Sequence, residues 1–374
     1  MPAPLSSRQE AEDRLSSRAL PDTLLKGRGA VSNPTGRFET QVRTRTRESW
    51  DDSDERAPRR VEITVEKPRS ILTRNTSPDI PFDRSINPYR GCEHGCSYCF
   101  ARPTHAFLGL SPGLDFESKL YIKPNAAALL RDTLSRPGYR PKPIAIGTNT
   151  DPYQPIEKSE KIMRQILEVL AEADHPVTIV TKSAMVMRDL DILAPMAARN
   201  LVHVGISVTT LDRRLARLLE PRAATPSLRL EAIGALSAAG IRVTLLAAPI
   251  IPALNDMEIE QIVAAGAEAG AVSAGYILLR LPLEVRDVFR DWLAKAYPER
   301  YRHVMSLIRQ MRGGKDYDAE WMKRMRGEGP YADLIARRFE AAIKRHGLTR
   351  RSLDLDCTRF RPPRPDSEQM CFPF

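Results

Sequence analysis

The chain has 374 residues, 42% of them hydrophobic and 28% charged. That is enough to bury a large core in one large domain or two smaller ones, and the near-average apolar fraction excludes wholesale disorder. Lys+Arg 57 against Asp+Glu 47 leaves a formal net charge of +10, which favours a polyanionic partner without requiring one, since the charge is spread along the chain. No uncharged apolar run reaches the roughly 18 residues that suggest a spanning helix. The first residues also lack the apolar region of a secretory signal, so a cytoplasmic protein with no membrane contact is expected.

Residues 1 to 60 are rich in Arg, Ser, Thr and Pro, carry the charge cluster DDSDER at Asp51 to Arg56, and show no periodicity. They read as a mostly disordered basic and polar arm. Within it, Gly27 to Glu39 look less random and are candidates to lie along the fold. From there the pattern becomes regular. Val61 to Val65 alternates as a strand, Asn125 to Arg136 is apolar at helical spacing, and Ile144 to Ile146 is strand-like. Glu157 to Ala173 predicts an amphipathic helix, Val177 to Thr181 a buried strand, and Asp189 to Arg199 a helix. Val202 to Val208 predicts a strand, with helices over Asp212 to Leu219 and Ser227 to Ala239, the latter stopped by Gly240. Ile241 to Ile250 reads as a strand, Asp256 to Ala269 as a helix, and Gly275 to Leu281 as a strand. Helices over Glu284 to Lys295 and Pro298 to Met311 follow.

Strands alternating with helices imply βαβ units and a parallel sheet, wound right-handed into a full or partial barrel. The fold class is α/β, and chemistry is expected at the C-terminal strand ends. An open doubly wound sheet would ordinarily carry a glycine-rich nucleotide fingerprint, and the chain has none. The expected division is a core over residues 61 to 300, with a helical C-terminal extension and tail over 301 to 374.

Cysteine usage is the sharpest signal. Of five cysteines, three are Cys92, Cys96 and Cys99; the others are Cys357 and Cys371. An odd count argues against a disulfide scaffold, and three in so short a stretch point to metal. Gly91 and Gly95 permit positive-φ turns that wrap backbone around a small object. A four-iron cluster usually takes four thiolates, so three leave one iron open to a cofactor or substrate. Zinc needs four ligands, and Cys3His with His105 is the alternative. That reading makes the chain a zinc-stabilised nucleic-acid-binding protein without catalysis.

The stretch SINPYRGCEHGCSYCFARPTH, with its C-x3-C-x2-C spacing and an aromatic before the third cysteine, resembles the radical S-adenosylmethionine (radical SAM) superfamily. In particular it resembles an uncharacterised group within the spore-photoproduct-lyase-like branch, over about Gly27 to Phe360. The resemblance implies a partial (β/α)6 TIM-like barrel and a [4Fe-4S] cluster on Cys92, Cys96 and Cys99 in the loop 87–100. It also implies S-adenosylmethionine (SAM) on the fourth iron, cleaved reductively to a 5′-deoxyadenosyl radical that abstracts hydrogen from a substrate. A reducing partner such as flavodoxin or ferredoxin is implied as well. Tyr98 matches the aromatic position near the adenine. The loop after Ile146 stands where the superfamily has a Gly-Gly-Glu-like motif, but the glycine pair is absent and Asp151 or Glu157 would have to serve; Asp151 as a plain helix cap is the alternative. Lys182 and Ser183 end one strand, Ser207 and Thr209 another, and all resemble contacts to the SAM ribose or carboxylate. Lys182 also reads as a solvated strand end. Arg222 is a candidate to fork onto a carboxylate, or a surface arginine. Ala248 to Pro252 resembles the edge flanking adenine, or a plain strand terminator.

The branch makes nucleic acid the first candidate substrate. Basic residues at Arg324, Arg326, Arg337, Arg338, Lys344, Arg345, Arg350 and Arg351 are interleaved with Trp321, Tyr331 and Phe339, which either stack on bases or pack the C-terminal helices. Photoproduct repair itself is disfavoured. The lyase uses a cysteine soon after its cluster motif, whereas here Phe100 follows the motif and no cysteine occurs before Cys357. Cys357 or Cys371 would serve only if the tail reached the barrel mouth.

Overall fold

The structure, a computed structural model, describes residues 25–39, 60–350 and 354–363. Its strands are β1 (Glu62–Val65), β2 (Leu72–Arg74), β3 (Arg84–Ile86), β4 (Tyr89–Arg90), β5 (Lys119–Ile122), β6 (Ile144–Ile146), β7 (Val177–Thr181), β8 (Val202–Ser207), β9 (Arg242–Ile250) and β10 (Ser273–Leu278). Seven form one sheet in the order β10-β9-β8-β7-β6-β3-β2, and β1-β5-β4 form a small second sheet. Within the large sheet only the β2–β3 pair is antiparallel; β3 and β6 to β10 run parallel. The edge strands β2 and β10 do not meet, so this is an open, partial barrel of six parallel strands rather than a closed one.

The chemistry of the strands explains their place. β6 is buried throughout, and β7 and β8 are dominated by Val, Ile and Thr, which suit a pleated sheet covered by crossover helices. The helices Ala126–Leu134, Ile162–Glu172, Leu190–Ala198, Pro226–Ala238 and Ile259–Glu268 supply those crossovers. Three predicted helices start differently. The run expected over Glu157 to Ala173 breaks at Lys161, whose φ is +53°. There the Glu157 carboxylate accepts from the Met163 amide at 3.0 Å and begins a second helix. The helices expected from Asp189 and Asp256 are preceded by tight turns over Ala184–Asp189 and Asp256–Glu258. The short strands β2 to β5 were not legible as strands, since they fall among turn residues.

The C-terminal helix Pro330–Arg345 buries Ile335, Phe339, Ala342 and Ile343 against the barrel. It is pinned by a bidentate Arg338–Glu260 pair at 2.8 and 2.6 Å. Residues 354–363 then run beneath the sheet. The Asp356 amide donates to the Asn200 carbonyl and the Arg361 amide to the Ala173 carbonyl, both at 2.9 Å. Phe360 packs on Tyr139 and His175. Asn200 and Ala173 lie just before β8 and β7, so Cys357 sits at the N-terminal end of the barrel, opposite the cysteine loop. Cys371, Arg351 and the DDSDER cluster lie outside the described residues.

Candidate active site

The loop 87–100 leaves the C-terminal end of β3, and its start is tied to the loop after β6. The Asn87 side-chain oxygen accepts from the amides of Asn149 at 3.0 Å and Thr150 at 3.4 Å. Gly91 and Gly95 then turn with φ of +76° and +67°. A Cβ at Gly91 would come within 2.8 Å of Leu120, and one at Gly95 within 2.9 Å of the Glu117 carboxylate. The backbone curls as tightly as only glycine allows.

Three side chains that sequence reasoning passed over hold this curl. Gln154 is fully buried and bonds both arms: its oxygen accepts from the Glu93 amide at 2.8 Å and its nitrogen donates to the Gly91 carbonyl at 3.1 Å. Arg102 is fully buried and donates twice to the Cys96 carbonyl, at 3.0 and 2.8 Å, and to the carbonyls of Pro112 and Gly113 at 3.0 and 2.8 Å. Its guanidinium also pairs with Glu117, itself wholly buried. Glu117 accepts in turn from the amides of Gly29 and Ala30 at 3.1 and 2.8 Å. Residues 25–39 are thereby strapped over the loop, so closely that a Cβ at Gly29 would lie 1.6 Å from the Gly95 carbonyl oxygen. The signal in the sequence was only the polar content of these segments; their partners lie far away along the chain.

Cys92 and Cys96 are buried and Cys99 nearly so. Burial pushes all three thiols up, Cys96 to about 12; Cys96 and Cys99 also lie close enough to raise Cys92, and Cys99 to raise Cys96. Thiols this desolvated become thiolates only when a cation takes the proton's place, as iron ligation does. Among the described residues no three His, Cys, Asp or Glu side chains gather tightly enough to hold a single metal ion. His105, the fourth ligand of the zinc alternative, turns its Nε2 to the Lys119 carbonyl at 2.9 Å. A cubane asks for less closeness, because each thiolate takes a different iron corner. The buried Ser97 hydroxyl between Cys96 and Tyr98 has no partner among the described residues.

The other strand ends converge on the loop. Asp151, after β6, accepts from the Thr181 hydroxyl at 2.7 Å and from the amides of Tyr153 and Lys182 at 2.9 and 2.8 Å. Its carboxylate also lies 3.4 Å from His94 Nδ1. Burial works to raise the Asp151 carboxyl, but His94 and these donors outweigh it and hold it at about 2. Asp151 thus ties β6, β7 and the cysteine loop together, which goes beyond a helix cap. Glu157 stands apart. Its oxygens are taken by the Tyr89 hydroxyl, the Met163 amide and Arg188.

Tyr98 points its hydroxyl at Glu220, which also accepts from Thr209 at 2.7 Å and pairs with the buried Arg229. Burial alone would raise the Glu220 carboxyl; Arg229 and Lys182 bring it below the usual range. Ser207 and Thr209 both donate to the Ala248 carbonyl, at 3.0 and 3.1 Å. Ser183 caps the turn that follows β7, accepting from Met185 at 3.2 Å. Arg222 pairs through Nη1 with a carboxylate of the protein itself, Glu93, at 2.7 Å. Lys182 alone among these makes no direct ion pair among the described residues: its Nζ lies 5.9 Å from the centre of the Tyr98 ring, near enough to Glu220 and to Cys96 and Cys99 to act on their charge.

Residues 86–265 match the family model of the radical SAM superfamily. An uncharacterised protein of Mycobacterium tuberculosis is 41% identical over 230 residues, which are 60% of this chain and 68% of that one. The chain belongs to the radical SAM superfamily. A protein of Methanocaldococcus jannaschii, also uncharacterised, is 29% identical over 219 residues, covering 59% of this chain and 78% of that one. A spore photoproduct lyase variant solved with bound AdoMet and dinucleoside spore photoproduct shares the fold at a TM-score of 0.50. It is 16% identical, covering 76% of this chain and 78% of that chain. As a radical SAM enzyme the protein has a [4Fe-4S] cluster and SAM as its cofactors, and the non-catalytic zinc reading falls. The buried thiol trio and its glycine cradle fit the cluster. No helix among the described residues is long and apolar enough to cross a membrane.

Proposed function

We propose that Cys92, Cys96 and Cys99 carry the cluster at the C-terminal end of the barrel, and that the hydrogen is taken from a nucleic-acid or nucleotide substrate. The observation that carries this reading is the convergence of the three thiols, two buried and Cys99 half-buried, with the directly unpaired ammonium of Lys182 at the strand ends. When bound, the cluster supplies the electron that cleaves SAM to methionine and a 5′-deoxyadenosyl radical.

The chain's own residues then have separate tasks. Lys182 meets the SAM carboxylate as a point charge. Asp151 does not need to touch SAM; it positions Lys182 and His94 by holding the Lys182 amide and facing the imidazole. Tyr98 forms part of the wall beside Lys182, locked by Glu220. Ser183, Ser207, Thr209 and Arg222 shape the rim through bonds to protein groups, and Glu157 supports β4 from behind. The barrel over 61 to 300 is the catalytic unit, the segment after 301 braces it, and a small reductant of the flavodoxin or ferredoxin kind supplies electrons.

The net charge of +10 supports a polyanionic substrate. The aromatics of the C-terminal extension support it less: Phe339 is core, Tyr331 donates to Asp256, and Trp321, 56% exposed, is the one open to stack on a base. Cys357, at the opposite end of the barrel, cannot return hydrogen to a product radical at the mouth. With Phe100 directly after the motif and Cys357 out of reach, the reading favoured is a reaction other than photoproduct repair; Cys371 lies outside the described residues.

The test is anaerobic. Reconstituted and reduced protein is expected to form 5′-deoxyadenosine from SAM, and Cys96→Ala to form none. A protein that holds zinc and leaves SAM intact would refute the assignment.

A further inference from the structure

The last strand carries a cation that the cofactor site does not use. Arg280 follows β10 at the C-terminal end of the barrel, and its guanidinium lies 4.9 Å from the centre of the Phe100 ring. Phe100 is the residue directly after the third cysteine and is 44% exposed. Arg280 is therefore a neighbour of the cluster loop on the open side of the site.

Its hydrogen bonding is incomplete. No described carboxylate pairs with Arg280, its Nε is buried without an acceptor among the described residues, and its one side-chain hydrogen bond there is a weak one from Nη1 to the Met325 sulfur at 3.6 Å. A buried guanidinium N–H without a partner is costly, and proteins rarely leave one so. Most neighbouring arginines are satisfied. Arg312 is buried on the carbonyls of Lys323 and Leu279 at 2.8 and 3.0 Å, and Arg324 pairs with Asp79. Arg312 is close enough to Arg280 for the two charges to oppose each other, and Arg326 stands near Tyr276 on the same strand. Asp318 acts on Arg312, but no described carboxylate pairs with Arg280, which leaves a local deficit of negative charge at that guanidinium. An anion entering beside Phe100 would remove it.

We propose that Arg280, held over Phe100 beside the cluster loop, binds a phosphate of a single-stranded nucleic-acid substrate. The proposal rests on the substrate reading above. A guanidinium fork fits a phosphate's paired oxygens, and Phe100 on one face of the fork keeps the other donors open to them. A phosphate clamped here holds the adjoining sugar and base next to the cluster loop, where the hydrogen is taken. Trp321, exposed on the segment that carries Met325, lies along the same C-terminal extension and suits stacking on a neighbouring base.

The experiment measures binding rather than turnover. A short fluorescein-labelled single strand, in DNA and RNA versions, is titrated by anisotropy against the reconstituted protein over a salt series. Arg280→Gln is compared with Arg217→Gln, which removes the same charge from the exposed face of the helix Arg213–Leu219. Arg280→Gln is expected to weaken binding about tenfold and to reduce the log–log salt slope by about 0.7, one phosphate contact on a single strand. Arg217→Gln is expected to leave both near the wild type. Preference for the DNA or RNA strand identifies the source of the phosphate. Should Arg280→Gln lose its cluster, Arg280→Lys is read instead: weaker binding with the slope retained supports the fork. Unchanged affinity and slope in the Arg280 variants overturn the proposal, as does a wild type that binds neither strand at low salt. In that last case 5′-deoxyadenosine formation still tests the cofactor assignment by itself, so the two failures are distinguishable.

Discussion

Removal of Arg102 tests how the cluster loop is held. The side chain is wholly buried, and its hydrogen bonds and ion pair go to the loop, to the turn at Pro112–Gly113, and to Glu117. Arg102→Met keeps apolar bulk against Phe116, but takes from the buried Glu117 carboxylate its buried ion-pair partner, leaving it the Gly29 and Ala30 amides and the nearby Arg28, which donates to the Glu117 carbonyl at 2.8 Å. The Cys96 carbonyl loses both donors. Breaking a buried pair on one side costs about 3–5 kcal/mol. At about 2–4 °C per kcal/mol for a chain of a few hundred residues, the melting temperature should fall by roughly 6–20 °C. The assay is anaerobic melting of the apoprotein, so that cluster binding does not mask the loss, together with iron content after reconstitution. Arg102→Met with Glu117→Gln removes the uncompensated charge and is expected to recover about 2 kcal/mol, a coupling that independent sites do not show. A single variant that melts with the wild type, or a double variant no better than the single, would refute the idea that this pair anchors the loop.

Gln154→Ala leaves the Glu93 amide and Gly91 carbonyl buried and unpaired; a loss of about 1–3 kcal/mol and lower iron uptake are expected, read by melting and metal analysis. Gly29→Ala forces a methyl into the Gly95 carbonyl, so limited proteolysis should cut residues 25–39 faster than in the wild type, and equal rates would contradict the strap. Burial lowers the His175 imidazole to about 4, while its Nε2 faces the Tyr139 hydroxyl and Arg84 lies nearby. The unfolded chain takes up that proton near 6.5. Stability from His175 is therefore complete above about pH 6.5 and is lost as the pH falls toward 4, at about 1.4 kcal/mol per unit. His175→Phe should flatten that part of the stability–pH curve, and an unaltered slope would refute the burial argument.

The cysteine spacing and the alternation of strands and helices from β6 to β10 were legible in the sequence, because both are local. Thiols three or four residues apart must share a neighbourhood, and buried parallel strands must be apolar along their length. The same locality explains the failures. β2 to β5 are too short to show a period, and the break at Lys161 depends on where the Glu157 carboxylate goes. What each polar strand-end residue does was decided by tertiary structure alone. Asp151 and Glu157 are equivalent as letters near one loop, yet one faces His94 and the other Tyr89 and Arg188. Arg222 is in a direct ion pair and Lys182 is not, because Glu93 lies within reach of only the first. The clamps at Gln154, Arg102 and Glu117 join the loop to residues as far as 88 positions away. Desolvation sets the cost of an unpaired buried group, and only the folded chain determines which groups are desolvated and who their partners are.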